Sequence, residues 1–337
     1  MEGQVADIGR AVLAGRRLTR PQIRLLVDSA QQAPYEVLYW AHRVRTARFG
    51  AGVRLCSIVA GKLGGCSEDC KWCAQSARCG PGTGPARYAG LDDIHAAARQ
   101  AASRGAASLG IVNSGRRPST RELEGVLKAA EQIRRDAECG LGICASLGEL
   151  SDEQAAALHA AGVTRYNHNL ETSRGFFGRV VTTHTYEDRL ETLAAARRAG
   201  MSLCCGGIFG LGESWEDRID LAITLRDEVS PEVVPLNFLH PIPGTPLADS
   251  PRLEPAEILN VIAVFRLILP DVDLKIAGGR ESNLRDRQSW MFYAGATSCI
   301  IGNYLTTPGR GAEEDLRMIA DLGLEVVREL PTSHLGA

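Results

Sequence analysis

Three cysteines stand together in the run Gly65-Cys66-Ser67-Glu68-Asp69-Cys70-Lys71-Trp72-Cys73, spaced C-x3-C-x2-C. Thiolates at that spacing can take three corners of an iron–sulfur cube and leave the fourth iron open to a reacting ligand. Structural zinc normally takes four protein ligands in two separated pairs. Here one pair stands with one outlier, and no histidine lies within twenty residues. Ferredoxin runs go on to a fourth cysteine at close spacing, whereas Cys73 is followed by Ala74 and no such ligand. A disulfide with a spare thiol belongs to small secreted scaffolds, and this chain has 337 residues. The spacing therefore points to an iron–sulfur site with an open iron, and so to an enzyme rather than a binding module.

Such a site needs a scaffold. Of the 337 residues 45% are apolar, enough for a large core. The length suits one α/β barrel of about 250 residues with extensions. A formal net charge of −2 argues against nucleic acid as the main partner. Arginines gather near the start of the chain (Arg16, Arg17, Arg20, Arg24, Arg43, Arg45 and Arg48) at helical spacing among Leu, Ile and Val, which predicts a solvated helix face. Residues 1–15 lack the apolar run of ~7–15 residues that a signal peptide carries. The most apolar stretch, Val261 to Leu269, is broken by Arg266 and is too short to span a membrane. Ten cysteines without export signals predict a reducing, cytoplasmic setting and metal chemistry rather than disulfides.

Residues 1–50 read as a helical extension, with Thr19 as N-cap of a helix that opens on Pro21. Beyond it a unit repeats: a short apolar strand, a loop of small residues, an amphipathic helix. Strands are predicted at Val53–Val59, Ala107–Val112, Gly142–Ser146, Thr164–Asn169, Ser202–Phe209, Val233–Leu239, Asp273–Ala277 and Ser298–Ile301. Helices are predicted between them, as at Glu122–Arg135, Tyr186–Ala199 and Glu257–Leu269. Eight alternating units predict an α/β fold, a (β/α)8 TIM-type barrel over 51–310, followed by a C-terminal helix and tail over 311–337. An open doubly wound sheet is the alternative. Polar residues interrupt six of the strands: Cys56, Cys144, Asn167 with Asn169, Cys204, Asn237 and Lys275. Each alone reads as a satisfied core group. Together they argue for closure, which alone gathers them where barrel active sites lie.

With Trp72 before its last member, the cysteine run resembles the signature of the radical S-adenosylmethionine superfamily. Longer stretches, from about Val53 to Thr307, resemble one family within it, the biotin synthases. They are Tyr166-Asn167-His168-Asn169-Leu170-Glu171, Thr182-Thr183-His184-Thr185-Tyr186-Glu187-Asp188-Arg189 and Cys205-Gly206-Gly207-Ile208-Phe209-Gly210-Leu211-Gly212-Glu213. Pro235-Leu236-Asn237, Gly244-Thr245-Pro246-Leu247, Gly278-Gly279-Arg280-Glu281 and Leu305-Thr306-Thr307-Pro308 follow in family order. The resemblance implies a 4Fe–4S cluster on Cys66, Cys70 and Cys73 that binds S-adenosylmethionine and yields a 5′-deoxyadenosyl radical. It implies insertion of sulfur into dethiobiotin to form biotin, a sulfurtransferase activity. A radical suits C–H bonds too weakly acidic for any side-chain base. A flavodoxin or ferredoxin as electron donor and a homodimer are implied as well.

The resemblance also assigns residues. Trp72, Asn169, Glu171, Arg189, Gly206 and Gly207 fall to S-adenosylmethionine. Glu171 would accept from the ribose diol, and Arg189 would offer its planar fork to the methionine carboxylate. Gly206, Gly207 and Gly210 would let backbone approach the cofactor, although tight packing at a strand-to-helix turn explains them equally well. Asn167, Asn169 and Asn237 fall to the ureido ring of dethiobiotin, and Thr306 and Thr307 to its carboxylate tail. Asn169 and Glu171, two apart on a predicted strand, would share a face. His168 would point the other way and reads as structural, as do His184 and His240.

One part of the pattern is altered. The better-known biotin synthases donate sulfur from a second, 2Fe–2S cluster held by three cysteines and an arginine. Cys144 and Cys204 match two of those ligands, but Gly110 stands in place of the first cysteine and Lys275 in place of the arginine. Cys56 appears on the first strand instead. Cys56, Cys144, Cys204 and Lys275 would come from strands one, three, five and seven, and alternate barrel strands feed one interior layer. The expectation is an auxiliary iron–sulfur cluster, of a type left open, rebuilt on Cys56, Cys144 and Cys204 with Lys275 as neutralising charge. Strand alternation lets only one of Cys204 and Cys205 face inward. Cys79, Cys139 and Cys299 read as ordinary thiols. The altered ligands leave open a barrel enzyme that uses the radical without donating sulfur, such as a mutase or maturase. A non-catalytic iron–sulfur or zinc protein is the remaining alternative.

Overall fold

The computed structural model describes residues 3–78 and 84–329, so Cys79 lies outside the described residues. Eight parallel strands form the inner layer: β1 (Gly52–Leu63), β2 (Ser108–Asn113), β3 (Gly142–Ser146) and β4 (Val163–Asn167), then β5 in two pieces (Ser202–Cys204 and Gly207–Phe209), β6 (Val233–Phe238), β7 (Asp273–Ile276) and β8 (Ser298–Ile300). Each pairs with the next, and β8 returns to β1 with Arg54 opposite Ser298 and Cys56 opposite Ile300. The sheet is a closed barrel.

All eight predicted strands are present, with two informative departures. The fourth ends at Asn167, so Asn169 and Glu171 lie beyond the ladder. The fifth breaks at Cys205 and Gly206, opposite Pro235, which has no N–H to give the ladder. There the chains run so close that a Cβ on Gly206 would lie 2.0 Å from the Pro235 carbonyl oxygen.

The outer helices begin with α1 (Gln4–Leu13), α2 (Arg20–Gln32) and α3 (Pro34–Phe49), the N-terminal extension. Thr19 stands at the N-cap of α2, and its N–H donates to Gln22 Oε1 at 2.9 Å. Around the barrel follow α4 (Leu91–Ser103), α5 (Thr120–Arg135), α6 (Asp152–Ala160), the short α7 (Arg174–Phe177), α8 (Tyr186–Arg198) and α9 (Trp215–Thr224). The series ends with α10 (Pro255–Ile268), α11 (Arg280–Leu284), α12 (Trp290–Tyr293) and α13 (Ala312–Asp321). Ser119, Ser151, Thr185 and Ser214 start α5, α6, α8 and α9 with one device. Each accepts from the N3 backbone N–H while the N3 side chain accepts from the cap's own N–H, worth about 1 kcal/mol per helix. Helix α10 is buried along nearly its whole length because α3 covers the side that the barrel does not.

Of the N-terminal arginines, Arg16, Arg17, Arg24 and Arg43 are exposed as the spacing predicts, and Arg45 is the exception. Arg45 is 1% exposed and donates to the carbonyls of Gly50, Gly52 and Ala296 at 2.6, 2.9 and 3.0 Å. Burial draws its pKa down to about 10. Arg20 and Arg24 pair with Glu216 and Asp220 near the start of α9. Helical spacing could not show this, since the partners lie some 200 residues along the chain.

At the other end, α13 is fastened by a fully buried ion pair. Arg280 Nη1 donates to Asp315 Oδ1 at 3.1 Å and to Gln288 Oε1 at 2.8 Å, with both charged side chains at 0% exposure. Removing one partner leaves the other charged in a site without water. Asp315→Ala is expected to lower the unfolding free energy by about 3–5 kcal/mol, measured by urea denaturation.

Candidate active site and inner chamber

Strand alternation sorts the barrel interior into levels. The lowest holds Arg54, Arg165, Ser202, Asp273 and Ser298. Arg54 Nη2 lies 2.7 Å from Asp273 Oδ2, Ser298 Oγ donates to Asp273 Oδ1 at 2.7 Å, and Arg165 Nε donates to Ser202 Oγ at 3.1 Å.

Two residues further up each strand lies a level of thiols. Lys275 Nζ donates to Cys204 Sγ at 3.2 Å, and Ser108 Oγ donates to Cys56 Sγ at 3.3 Å. Burial opposes the Lys275 charge, but Cys204, Cys56 and Cys144 face it and together raise its pKa above the ordinary lysine value. Burial likewise pushes the Cys56 thiol up. Lys275, Arg54 and the Ser108 hydroxyl more than offset it, so Cys56 ends below the usual thiol range. At Cys204 burial prevails and the thiol stays raised. Cys205 turns outward into the apolar core, so Cys204 is the inward member of the pair. Gly110 sits in register with Cys144, and a Cβ there would already meet Ile58 at 3.3 Å. The structure thus gathers Cys56, Cys144, Cys204 and Lys275, and none of these thiols is in a disulfide. Soft thiolates facing an ammonium are a donor set that fits an anionic iron–sulfur cluster.

The other three cysteines occupy the loop after β1. Backbone bonds from Cys66 N–H to Gln75 O (3.1 Å) and Cys73 N–H to Cys70 O (3.0 Å) curl the loop. Burial pushes all three thiols up, Cys73 to about 11, so ligation by a metal rather than the local field would make them thiolates. Among the described residues only His95, Asp136 and Cys139 bring three ligand atoms within 4.8 Å of one another, and there Arg99 already pairs with Asp136 at 2.7 Å. The loop sulfurs are spread wider, which suits a cube better than a single zinc ion at Zn–S of about 2.3 Å.

Acidic residues between these cysteines tie the loop to the Thr182–Arg189 segment, a link the sequence did not reveal. Asp69 accepts from the N–H of Thr182 at 2.9 Å and from its hydroxyl. Thr183 Oγ1 donates to Glu68 Oε2 at 2.6 Å. His184 Nδ1 lies 2.6 Å from the same oxygen, and its Nε2 accepts from Arg189 Nε at 3.1 Å. Because arginine can only donate, Nδ1 carries the imidazole proton and donates a hydrogen bond to Glu68. Burial and Arg189 keep His184 below its ordinary pKa, in keeping with a neutral ring. Arg189 also donates to the Asn169 carbonyl at 2.6 Å and stands 3.7 Å from Glu171. Its fork is largely engaged within the protein.

Above the thiol level a cavity of about 310 Å³ opens at the C-terminal mouth of the barrel. Trp72, Cys73, Asn169, Glu171, Asn237, Thr306 and Thr307 all line it, beside apolar Ile58, Ile208, Leu239 and Ile300. Asn167 lies just beneath, and its Oδ1 and Glu171 Oε2 are buried without a hydrogen bond among the described residues. Unmet buried acceptors are uncommon, and these two suit a ligand that donates. Glu171 owes its place to a left-handed backbone (φ 68°) bridged to Gly207, not to strand alternation with Asn169. Asn237 is partly spent, since Nδ2 donates to Gly207 O at 3.2 Å and Oδ1 accepts from Gly278 N–H at 2.9 Å. Gly206 and Gly207 are outside the cavity lining. A Cβ on Gly207 would lie 2.6 Å from the Glu171 carbonyl oxygen, so close packing by itself calls for glycine there. His168 is buried beside Tyr166, away from the cavity, whereas His240 lines it and contacts Ser282 at 2.9 Å. Tyr304, not foreseen, closes one wall through bonds to Ala277 O and Glu281.

Two family models match successive parts of the chain. Residues 62–225 match the radical SAM superfamily, and residues 235–325 match the Biotin and Thiamin Synthesis associated domain. The chain is 52% identical to the biotin synthase of Geobacter sulfurreducens over 289 residues, 85% of this chain and 86% of that one. It is 44% identical to that of Geotalea uraniireducens over 325 residues, covering 96% and 98%. Its fold is similar to that of methylornithine synthase, with a TM-score of 0.79 at 19% identity over 95% of this chain and 97% of that one. The FeFe-hydrogenase maturase HydG gives 0.82 at 14% identity over 98% and 76%. At those identities the structural likeness is one of fold. Identity sustained over nearly the whole length is another matter, and by it the chain belongs to the biotin synthase family of the radical S-adenosylmethionine superfamily.

Proposed function

We propose that this chain inserts sulfur into dethiobiotin to form biotin, using a 4Fe–4S cluster on Cys66, Cys70 and Cys73 and sulfur held at Cys56, Cys144 and Cys204. One observation carries the reading: a single cavity lies between the cysteine loop and the second set of inward thiols. Ile58 on the cavity wall is two residues above Cys56 on β1, a rise of about 7 Å. A substrate bound there sits one level from the sulfur donors. That proximity counts against a barrel that makes the radical and donates no sulfur.

When bound, the cluster and S-adenosylmethionine supply the hydrogen-abstracting radical. The chain's own residues hold, orient and shield. Glu68 and Asp69, bonded to Thr182 and Thr183, fix the loop that would present the three thiolates. Glu171 Oε2 is the acceptor for the ribose diol, and Arg189 positions Glu171 and the Asn169 carbonyl. Asn167 Oδ1 and the N–H left on Asn237 face the ureido ring, while the hydroxyls of Thr306 and Thr307 suit the carboxylate tail. Trp72 and the apolar wall exclude water, which limits side reactions of a radical. Lys275 balances the charge of a cluster on the inner thiols. The same reading includes a flavodoxin or ferredoxin as reductant, a cytoplasmic homodimer, and extensions 1–50 and 311–337 flanking the barrel. No helix among the described residues is long and apolar enough to cross a membrane.

An anaerobic assay with dithionite, S-adenosylmethionine and dethiobiotin is expected to yield biotin and 5′-deoxyadenosine together; deoxyadenosine alone from the unaltered chain would overturn the reading. Cys70→Ala should abolish both products. Cys56→Ala should keep deoxyadenosine and bring biotin to background. Thr183→Val removes a hydrogen bond to a carboxylate, about 1.5–3 kcal/mol, and is expected to speed iron loss to a chelator by about tenfold. Circular dichroism should remain unchanged in that variant.

A further inference from the structure

Sulfur donated from the inner chamber has to be replaced, and the upper mouth of the barrel is given over to cofactor and substrate. A second cavity, of about 440 Å³, opens at the opposite end. Its outer wall includes Arg16, Arg17 and Leu18, the loop between α1 and α2, which Arg226 holds by a bond to the Leu18 carbonyl at 2.9 Å. Its inner end is Arg54, Arg165 and Asp273, the level directly beneath the thiols.

These residues face both ways. Arg54 lies two residues below Cys56 on β1, a rise of about 7 Å, as Asp273 lies two residues below Lys275 on β7. Arg165 stands opposite Ser202, two residues below Cys204. The Arg54 side chain is 12% exposed, and its Nε carries no hydrogen bond among the described residues. Between cavity and thiols one acid, Asp273, meets three cations, Arg54, Arg165 and Lys275. Further out Arg16, Arg17 and Arg226 outnumber Glu232 and Asp271 on the cavity wall, and a cationic approach favours an anion.

We propose that the lower cavity is the route by which hydrosulfide from solvent reaches Cys56, Cys144 and Cys204, with Arg54 as its innermost guide. This rests on the sulfur-donating reading above. Reloading would need no redox change: HS⁻ would bind iron on these thiolates at the position that the donated sulfide had left, an Fe–S bond forming as the S–H bond breaks and the proton leaving to water in the lower cavity. The covering loop gives the N-terminal extension a task at the floor of the barrel.

The test uses the cluster-loaded enzyme after one turnover, freed of substrates and then given isotopically labelled sodium sulfide without oxygen. Label appearing in protein-bound sulfide is followed in time. Arg54→Met is expected to slow uptake by about tenfold, as loss of a charged hydrogen-bond donor would, and Arg54→Lys to restore most of it. Arg16→Glu, at the exposed mouth, should slow uptake about twofold at low salt and not at high salt. If Arg54→Met fails to fold, seen as loss of first-turnover biotin, Arg16→Glu and the salt dependence decide. First-turnover biotin with equal uptake in all variants would overturn the inlet alone. No first-turnover biotin from the unaltered chain would overturn sulfur donation, and the inlet with it.

Discussion

A lysine ammonium cannot sit in the middle of a barrel without anionic company, because removing an unpaired charge from water costs far more than folding can supply. Around Lys275 stand three thiols, Cys204, Cys56 and Cys144, delivered by β5, β1 and β3, and metal ligation of those thiols would supply the anions it needs. Pairing of β8 with β1 sets the heights, since it places Arg54 opposite Ser298 and Cys56 opposite Ile300. Everything else in the interior is stacked on that level. The Arg54–Asp273 pair lies below it at the inner end of the lower cavity, and Ile58 and Ile300 line the cavity above.

The upper site depends on a different kind of link. The cysteine loop has little regular structure of its own, and its order comes from carboxylates inside the motif. Glu68 and Asp69 reach Thr182, Thr183 and His184, and His184 passes the connection to Arg189. Arg189 in turn holds the Asn169 carbonyl and neighbours Glu171. The cysteine loop, the Thr182–Arg189 segment and the Asn169 carbonyl are thus one hydrogen-bonded unit. A change at Thr183 would be felt at both.

Much of this was legible in the sequence because period-two strands and alternating helices leave direct marks. The eight strands, the inward set of Cys56, Cys144, Cys204 and Lys275, and the residues around the upper cavity follow from alternation, closure and family motifs. What was not legible depended on long-range pairing or local backbone choice. Arg45 looked like a surface residue until Gly50, Gly52 and Ala296 supplied its carbonyl partners. Glu171 reached the cavity through a left-handed turn rather than a strand, which periodicity does not encode. Glu68 and Asp69 were overlooked because cysteines dominate that run, although acids between metal ligands are a signal for a supporting network.

The central claim is that Cys56, Cys144 and Cys204 hold an iron–sulfur centre independent of the one on the loop. Iron and acid-labile sulfide counted after anaerobic reconstitution of a Cys66→Ala, Cys70→Ala, Cys73→Ala chain test it most directly. The account expects iron and sulfide to remain bound in that triple variant and to vanish when Cys56→Ala is added. A triple variant without iron, or one whose iron is indifferent to Cys56→Ala, would contradict it.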